Sequence, residues 1–235
     1  MALTTEMILN GLFGLLLVGV FIIVGIKLML KYWERNDKKF LLTGIAWFGI
    51  SEPWWPSSMG LLMVLFTGEG LTLQTYLILN AAFLPIFLTL WLIVMLDLME
   101  IKKKTLLIII NLLISIILEL LFFYFLFTDI SMVGTLVNPV DIDFGPISRI
   151  FLAYILIVFL ISGFAFAIKT LKIDDPQPKL RGKFLLLAFI LFLIGAILEL
   201  IRTMVINKII ILFCAITFYI SFVMPEKIEK FFLKK

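Results

Sequence analysis

The chain has 235 residues, of which 63% are hydrophobic and only 15% charged, with a net charge of +4. So few charges do not cover a water-exposed surface, which excludes an ordinary soluble domain and implies an all-α, polytopic membrane bundle in the cell membrane, with the lipid bilayer as its first partner. Histidine is absent and Cys214 is the only cysteine, which rules out internal disulfides and leaves zinc centres, thiol–histidine catalysis and the histidine boxes of membrane oxidases short of ligands.

Seven apolar runs set the organisation: 7–30, 40–66, 71–98, 105–127, 147–168, 184–206 and 209–224, making one membrane domain with 225–235 as a tail. The amino terminus lacks the basic region of a signal peptide, and 7–30 is too long for a signal core, so the chain is expected to open on a spanning helix. Its Gly11, Gly14, Gly19 and Gly25 suit close helix packing.

The second run carries Ser51-Glu52-Pro53-Trp54-Trp55-Pro56-Ser57-Ser58. At ~1.5 Å per residue from Phe40, Glu52 lies ~18 Å deep, slightly past the middle of a ~30 Å hydrocarbon layer. An ionisable group there costs several kcal/mol unless it faces protein, a partner or water, which makes it a functional-site candidate. Pro53 and Pro56 each remove a donor and free carbonyls beside the carboxylate, and broken backbone at that depth must line a cavity or pack in protein. The stretch therefore predicts a kinked span and one wall of a polar pocket. The alternative is an interfacial belt of Trp54 and Trp55, with Pro53 ending a helix and the run folding back as a re-entrant hairpin.

In the third run Gln74, Asn80 and Pro85 interrupt the apolar pattern, and Asn80 either joins the pocket or bonds a neighbouring helix. Asp97 and Glu100 sit beside Lys102 to Lys104 as solvated partners of those lysines. The fourth and sixth runs place Glu119 and Glu199 ~21 to 23 Å along their helices, in the same half of the bilayer as Glu52. The tetrapeptides around them, 117–120 and 197–200, are identical, which in so leucine-rich a chain is expected by chance. Arg202 follows Glu199 by three residues and shares its face, as a network member or as a simple structural counter-charge. Between the fourth and fifth runs, 128–146 reads as the longest loop, a lid over the polar half or an ordinary solvated connection; its Asp141 and Asp143 are far short of a calcium site.

All but three of the 20 lysines and arginines fall at one end of the runs; the exceptions are Arg149, Arg202 and Lys208. Retention of basic loops in the cytoplasm then puts the amino terminus outside and the carboxyl terminus inside. The basic residues are topological clusters, so no nucleic-acid partner is expected. Asp174-Asp175-Pro176-Gln177-Pro178 reads as a turn-rich linker. In the tail, Ile228, Phe231 and Phe232 recur at helical spacing among charges, as in a short amphipathic helix on the inner leaflet.

No lysine lies between Ile209 and Met224 to hold retinal, and the acidic-arginine and Asn-Pro-x-x-Tyr motifs of class A G-protein-coupled receptors are absent. Ala46-Trp47 with Glu52, and Gln74, Tyr76 and Leu84-Pro85 with the apolar run after them, resemble the seven-helix amino-terminal sensor region of prokaryotic membrane histidine kinases and diguanylate cyclases. The resemblance covers about a fifth of the chain and implies an outward-facing sensory bundle. The departure from that pattern is that no kinase, cyclase or linker helix is expected after Lys235, so the output is expected to run through a separate cytoplasmic signalling partner or to be missing.

The leading expectation is a sensor or receptor-like protein with no cofactor and no metal. An unknown small ligand would bind among Glu52, Asn80, Glu119, Glu199 and Arg202, with Trp54 and Trp55 as apolar or cation-binding walls. The alternative is a proton- or cation-coupled transporter of small solutes, to which broken midplane helices are equally suited. Acid–base chemistry by two buried carboxylates is a third reading, with no nucleophile–base pair to support it; the protein is not expected to be an enzyme. A scaffold or accessory subunit, its charges merely fixing helix register, is a fourth.

Overall fold

In the computed structural model, which describes residues 3–201 and 205–233, the apolar runs are helices joined by short turns. Helix α1 (Thr5–Arg35) starts where the Thr4 hydroxyl accepts the Met7 N–H and stops at Asn36, which adopts the left-handed conformation that ends helices. The second run is two helices, α2 (Lys38–Ile50) and α3 (Trp55–Thr67), separated by one 3-10 turn over Glu52–Trp54. The prolines explain the division: neither donates a backbone hydrogen bond, and each sits in the first turn of the segment it opens. At 13 residues apiece, α2 and α3 are each ~20 Å long, short of a ~30 Å hydrocarbon layer.

The third run is likewise broken, into α4 (Leu73–Ala81) and α5 (Leu84–Leu98), with Pro85 at the start of the second piece. Next come α6 (Lys104–Thr128), α7 (Pro146–Leu171), α8 (Pro176–Ile201), α9 (Val205–Val223) and the short α10 (Glu226–Leu233). Among the described residues six helical stretches are long and apolar enough to cross a membrane: α1, α4 with α5, α6, α7, α8 and α9.

Three stretches differ from the expectations. Strands β1 (Gly134–Asn138) and β2 (Asp141–Phe144) make an antiparallel hairpin within 128–146, turning at Pro139-Val140. The presumed linker at Pro176 is a helix start, since the Asp175 carboxylate accepts the Gln177 N–H at 3.0 Å and Pro176 opens the first turn. The last helix begins at Val205, so Lys208, read as lying beyond the sixth run, belongs to α9.

The packing is that of a protein in lipid. On α6 the buried positions include Asn111 and Ser115, whereas Leu113, Ile117 and Leu120 are 57%, 58% and 65% exposed. A helix that hides its amides and presents leucine has hydrocarbon as its outer solvent. Along the bundle axis Trp47 is sandwiched between Phe21 at 4.7 Å and Phe218 at 3.7 Å, and Trp91 packs on Phe159, Phe189 and Phe218. At one end the basic turns meet: Lys39 and Lys104 both pair with Asp97, at 3.1 and 2.5 Å, and Lys169 donates to the Met99 carbonyl. The opposite end is closed by the hairpin, whose Val133, Val140 and Ile142 are buried.

Candidate functional site

The site grows from the two helix breaks. Glu52 is fully buried. Its Oε1 accepts the Phe83 N–H at 2.8 Å, a donor in the turn between α4 and α5. In return the Asn80 amide donates to the Pro53 carbonyl at 2.9 Å. Each broken helix thus lends a side chain to the backbone that the other exposes, which satisfies groups that are costly to leave unpaired in an apolar interior. Glu52 Oε2 makes no hydrogen bond among the described residues.

The neighbouring serines tighten the same turn. Ser57 and Ser58 both donate to the Trp54 carbonyl, at 3.0 and 2.9 Å, and Ser51 Oγ donates to the Phe48 carbonyl while accepting the Trp55 indole N–H at 2.8 Å. The two tryptophans diverge. Trp55 packs against the rings of Phe48 and Phe87, whereas Trp54 is buried against Phe21 and Phe192.

A second polar centre surrounds Lys208, which is 1% exposed and donates to the Asn10 carbonyl at 3.0 Å and to Ser57 Oγ at 3.2 Å. Gly14 makes the space: a Cβ there would come within 2.8 Å of Ser57 Oγ and 3.5 Å of the Lys208 ammonium. The adjacent Asn207 donates to Glu199 Oε2 at 3.1 Å, and the Glu199 carboxylate lies within electrostatic reach of Lys208. The hairpin tip seals this centre, because the Val140 carbonyl accepts from the Asn10 amide at 3.4 Å and from the Tyr76 hydroxyl at 3.3 Å. That approach requires Gly60, where a Cβ would sit 2.1 Å from the Pro139 carbonyl oxygen.

A cavity of about 80 Å³ lies beside Trp54, lined by Pro53, Leu84, Ile155, Phe159, Phe192 and Glu199 among others. Among the described residues, Glu199 is its one ionisable lining residue. The Trp54 indole N–H is buried without a hydrogen bond of ordinary geometry, although it lies close enough to interact with the Glu199 carboxylate.

The predicted residues therefore fall into two groups. Glu52 and Asn80 meet across the breaks, with half-buried Glu119 of α6 within electrostatic reach of Glu52 but making no hydrogen bond among the described residues. Trp54 and Glu199 share the cavity, which Trp55 does not line. Arg202 lies outside the described residues. Lys208, already set apart by sequence as one of three bases away from the basic end, anchors the second polar centre, with Asn10 and Ser57 as partners that the sequence reading does not assign to it. The signal for Lys208 was present as a charge inside an apolar run, but setting the last helix to begin at Ile209 placed it outside.

A third network, in the interior, links α5, α6 and α7: Tyr154 donates to Asn111 Oδ1 at 2.9 Å, and the Asn111 amide to Thr89 Oγ1 at 3.1 Å. Among the described residues no group of acidic or cysteine side chains is assembled to hold a metal ion. No family model, curated protein or solved structure matches the chain.

Proposed function

We propose that the protein is a seven-span membrane sensor of receptor type, with its amino terminus outside and its basic end in the cytoplasm. It reads a small ligand in its outer half and reports to a separate cytoplasmic partner. The observation that carries this reading is the mechanical continuity of two segments. The α2–α3 break is bonded to the α4–α5 break through Glu52 and Asn80, and α2 and α5 are tied again at the basic end by Lys39 and Asp97. A displacement at the breaks travels down two helices that are joined at both ends. The orientation rests on the shared position of the basic turns.

The alternative, a coupled transporter, needs a polar route between the two ends. Phe21, Trp47 and Phe218 are stacked and fully buried on the bundle axis between the polar half and the basic end, which favours sensing.

Spin labels at Lys38→Cys and Lys172→Cys read the basic end by pulsed electron resonance in nanodiscs; native Cys214 is buried and stays unlabelled. The expected result is that Glu52→Leu with Asn80→Leu, which cuts the joint, shifts the label distance while the fold persists. An unchanged distribution overturns the reading. So does proton flux into protein-containing liposomes above that of empty ones, abolished by Glu119→Gln or Glu199→Gln.

A further inference from the structure

Helices α1, α2, α5, α7, α8 and α9 pack in a closed ring, and at its basic end the ring holds a second cavity, of about 180 Å³. Its walls include Phe40 of α2, Leu98 of α5, Phe166 and Thr170 of α7, Arg181 of α8 and Phe222 of α9. Toward the bundle interior Phe222 stacks on Phe218, and Phe218 on Trp47. Aromatic rings therefore close the pit on its inner side, helices wall it laterally, and it opens where those helices end.

The charge at that opening is unbalanced. Arg181 is half-buried in the wall, and its carbonyl accepts from Ser221 Oγ at 2.9 Å, which pins the backbone. Its guanidinium makes no hydrogen bond or ion pair among the described residues. Lys31 and Arg35 of α1 lie within electrostatic reach of Arg181, and they too make no ion pair among the described residues. The Lys31 ammonium stands 5.9 Å from the ring centre of Phe40, itself a wall of the pit.

The nearby acids are committed elsewhere: Asp97 to Lys39 and Lys104, Asp37 to the Lys39 N–H, and Glu229 to the Gln177 amide. Glu34 offsets part of the charge on Lys31. Cations gathered this closely repel one another, and a bound anion reverses that cost. Basic side chains that only mark topology turn outward to the headgroups. A guanidinium kept in an interior wall with its donors unfilled does not.

We infer that this pit binds a soluble phosphomonoester with an aromatic body, its phosphate held at the mouth by Arg181, Lys31 and Arg35 and its ring entering among Phe40, Phe166 and Phe222. The planar fork of Arg181 matches two phosphate oxygens. A phosphomonoester carries a charge of about −1.5 to −2 at neutral pH, which suits a cluster of cations better than a single carboxylate does. The body is apolar because the wall hydroxyls are spent: Thr43, Thr170 and Ser221 each donate to a backbone carbonyl. Where one water-sized group needs about 10–15 Å³, about 180 Å³ holds roughly 12 to 18 such groups, a size that 1-naphthyl phosphate matches. The inference concerns the basic end and is independent of the ligand reading in the outer half.

The full chain in nanodiscs of zwitterionic lipid is dialysed to equilibrium against 1-naphthyl phosphate, and the bound fraction is read by naphthyl fluorescence against empty discs. Saturable binding is expected, weakened by salt and about tenfold or more tighter than that of inorganic phosphate or 1-naphthol in competition. Arg181→Gln is expected to weaken it about ten- to hundredfold, the worth of hydrogen bonds to a charged group. Lys31→Gln with Arg35→Gln, at the end of α1, is expected to weaken it several-fold and to flatten the salt dependence, with a parental melting midpoint. That double variant carries the test if Arg181→Gln does not fold.

Parental affinity in either folded variant overturns the proposal. So does inorganic phosphate or 1-naphthol binding as tightly as the ester, since the head and the body would then not act together. Displacement of the ester by phosphatidate incorporated in the discs overturns the soluble source and makes the pit a lipid-headgroup site.

Discussion

Replacing Glu52 by leucine removes the acceptor of the Phe83 N–H in a place where neither water nor another side chain takes over, since Glu52 is fully buried. An interior donor left unpaired costs about 1–3 kcal/mol. At roughly 2–4 °C per kcal/mol for a chain of this length, a loss of about 2 kcal/mol lowers the melting midpoint by about 4–8 °C. Glu52→Gln retains a carbonyl oxygen for Phe83 and is expected to stay within about 1 kcal/mol of the parent, because the lost oxygen is the one without a hydrogen bond. Asn80→Leu exposes the Pro53 carbonyl instead and is expected to cost about 1 kcal/mol. The chain supplies its own reporter: Cys214 is its only cysteine and is buried, so a fluorogenic maleimide reacts as the fold opens on heating. A Glu52→Leu midpoint equal to that of the parent, or a Glu52→Gln midpoint as low as that of Glu52→Leu, would refute the joint between the breaks.

Three further outcomes follow from the packing. Gly60→Ala drives a methyl against the Pro139 carbonyl and is expected to destabilise by about 1–3 kcal/mol, while limited proteolysis between 128 and 146 accelerates as the hairpin lifts. Gly49→Ala collides with the Phe87 ring, to which its Cβ would come within 1.8 Å, and Phe87→Ala in the same chain is expected to restore much of the lost stability. Lys208→Met deprives Glu199 of its facing charge, so the double variant with Glu199→Gln is expected to be more stable than the sum of the single losses, with a coupling on the order of 1–2 kcal/mol by thermal melts.

Composition and periodicity alone determined that this chain is a helical membrane bundle, because hydrocarbon admits only backbones that satisfy themselves, and the apolar runs have the length such helices need. The Pro-flanked Glu52 also declared itself, since proline breaks a helix wherever it stands and a carboxylate at that depth demands a partner. What the partner is, the letters do not say. Phe83 contributes only a backbone N–H, which has no signature in the residue type, and it reaches Glu52 because two breaks from separate helices stand side by side.

The same limit hid the partners of Lys208, whose acceptors are the Asn10 carbonyl and Ser57, 198 and 151 positions away. It also hid the hairpin, whose strands of five and four residues are too short to register against the helices around them. Tertiary packing likewise decided that Trp54 faces a cavity with Glu199 while Trp55 turns toward Phe48 and Phe87. Adjacent residues in a tight turn point in different directions, and the surrounding helices select which of them meets open space.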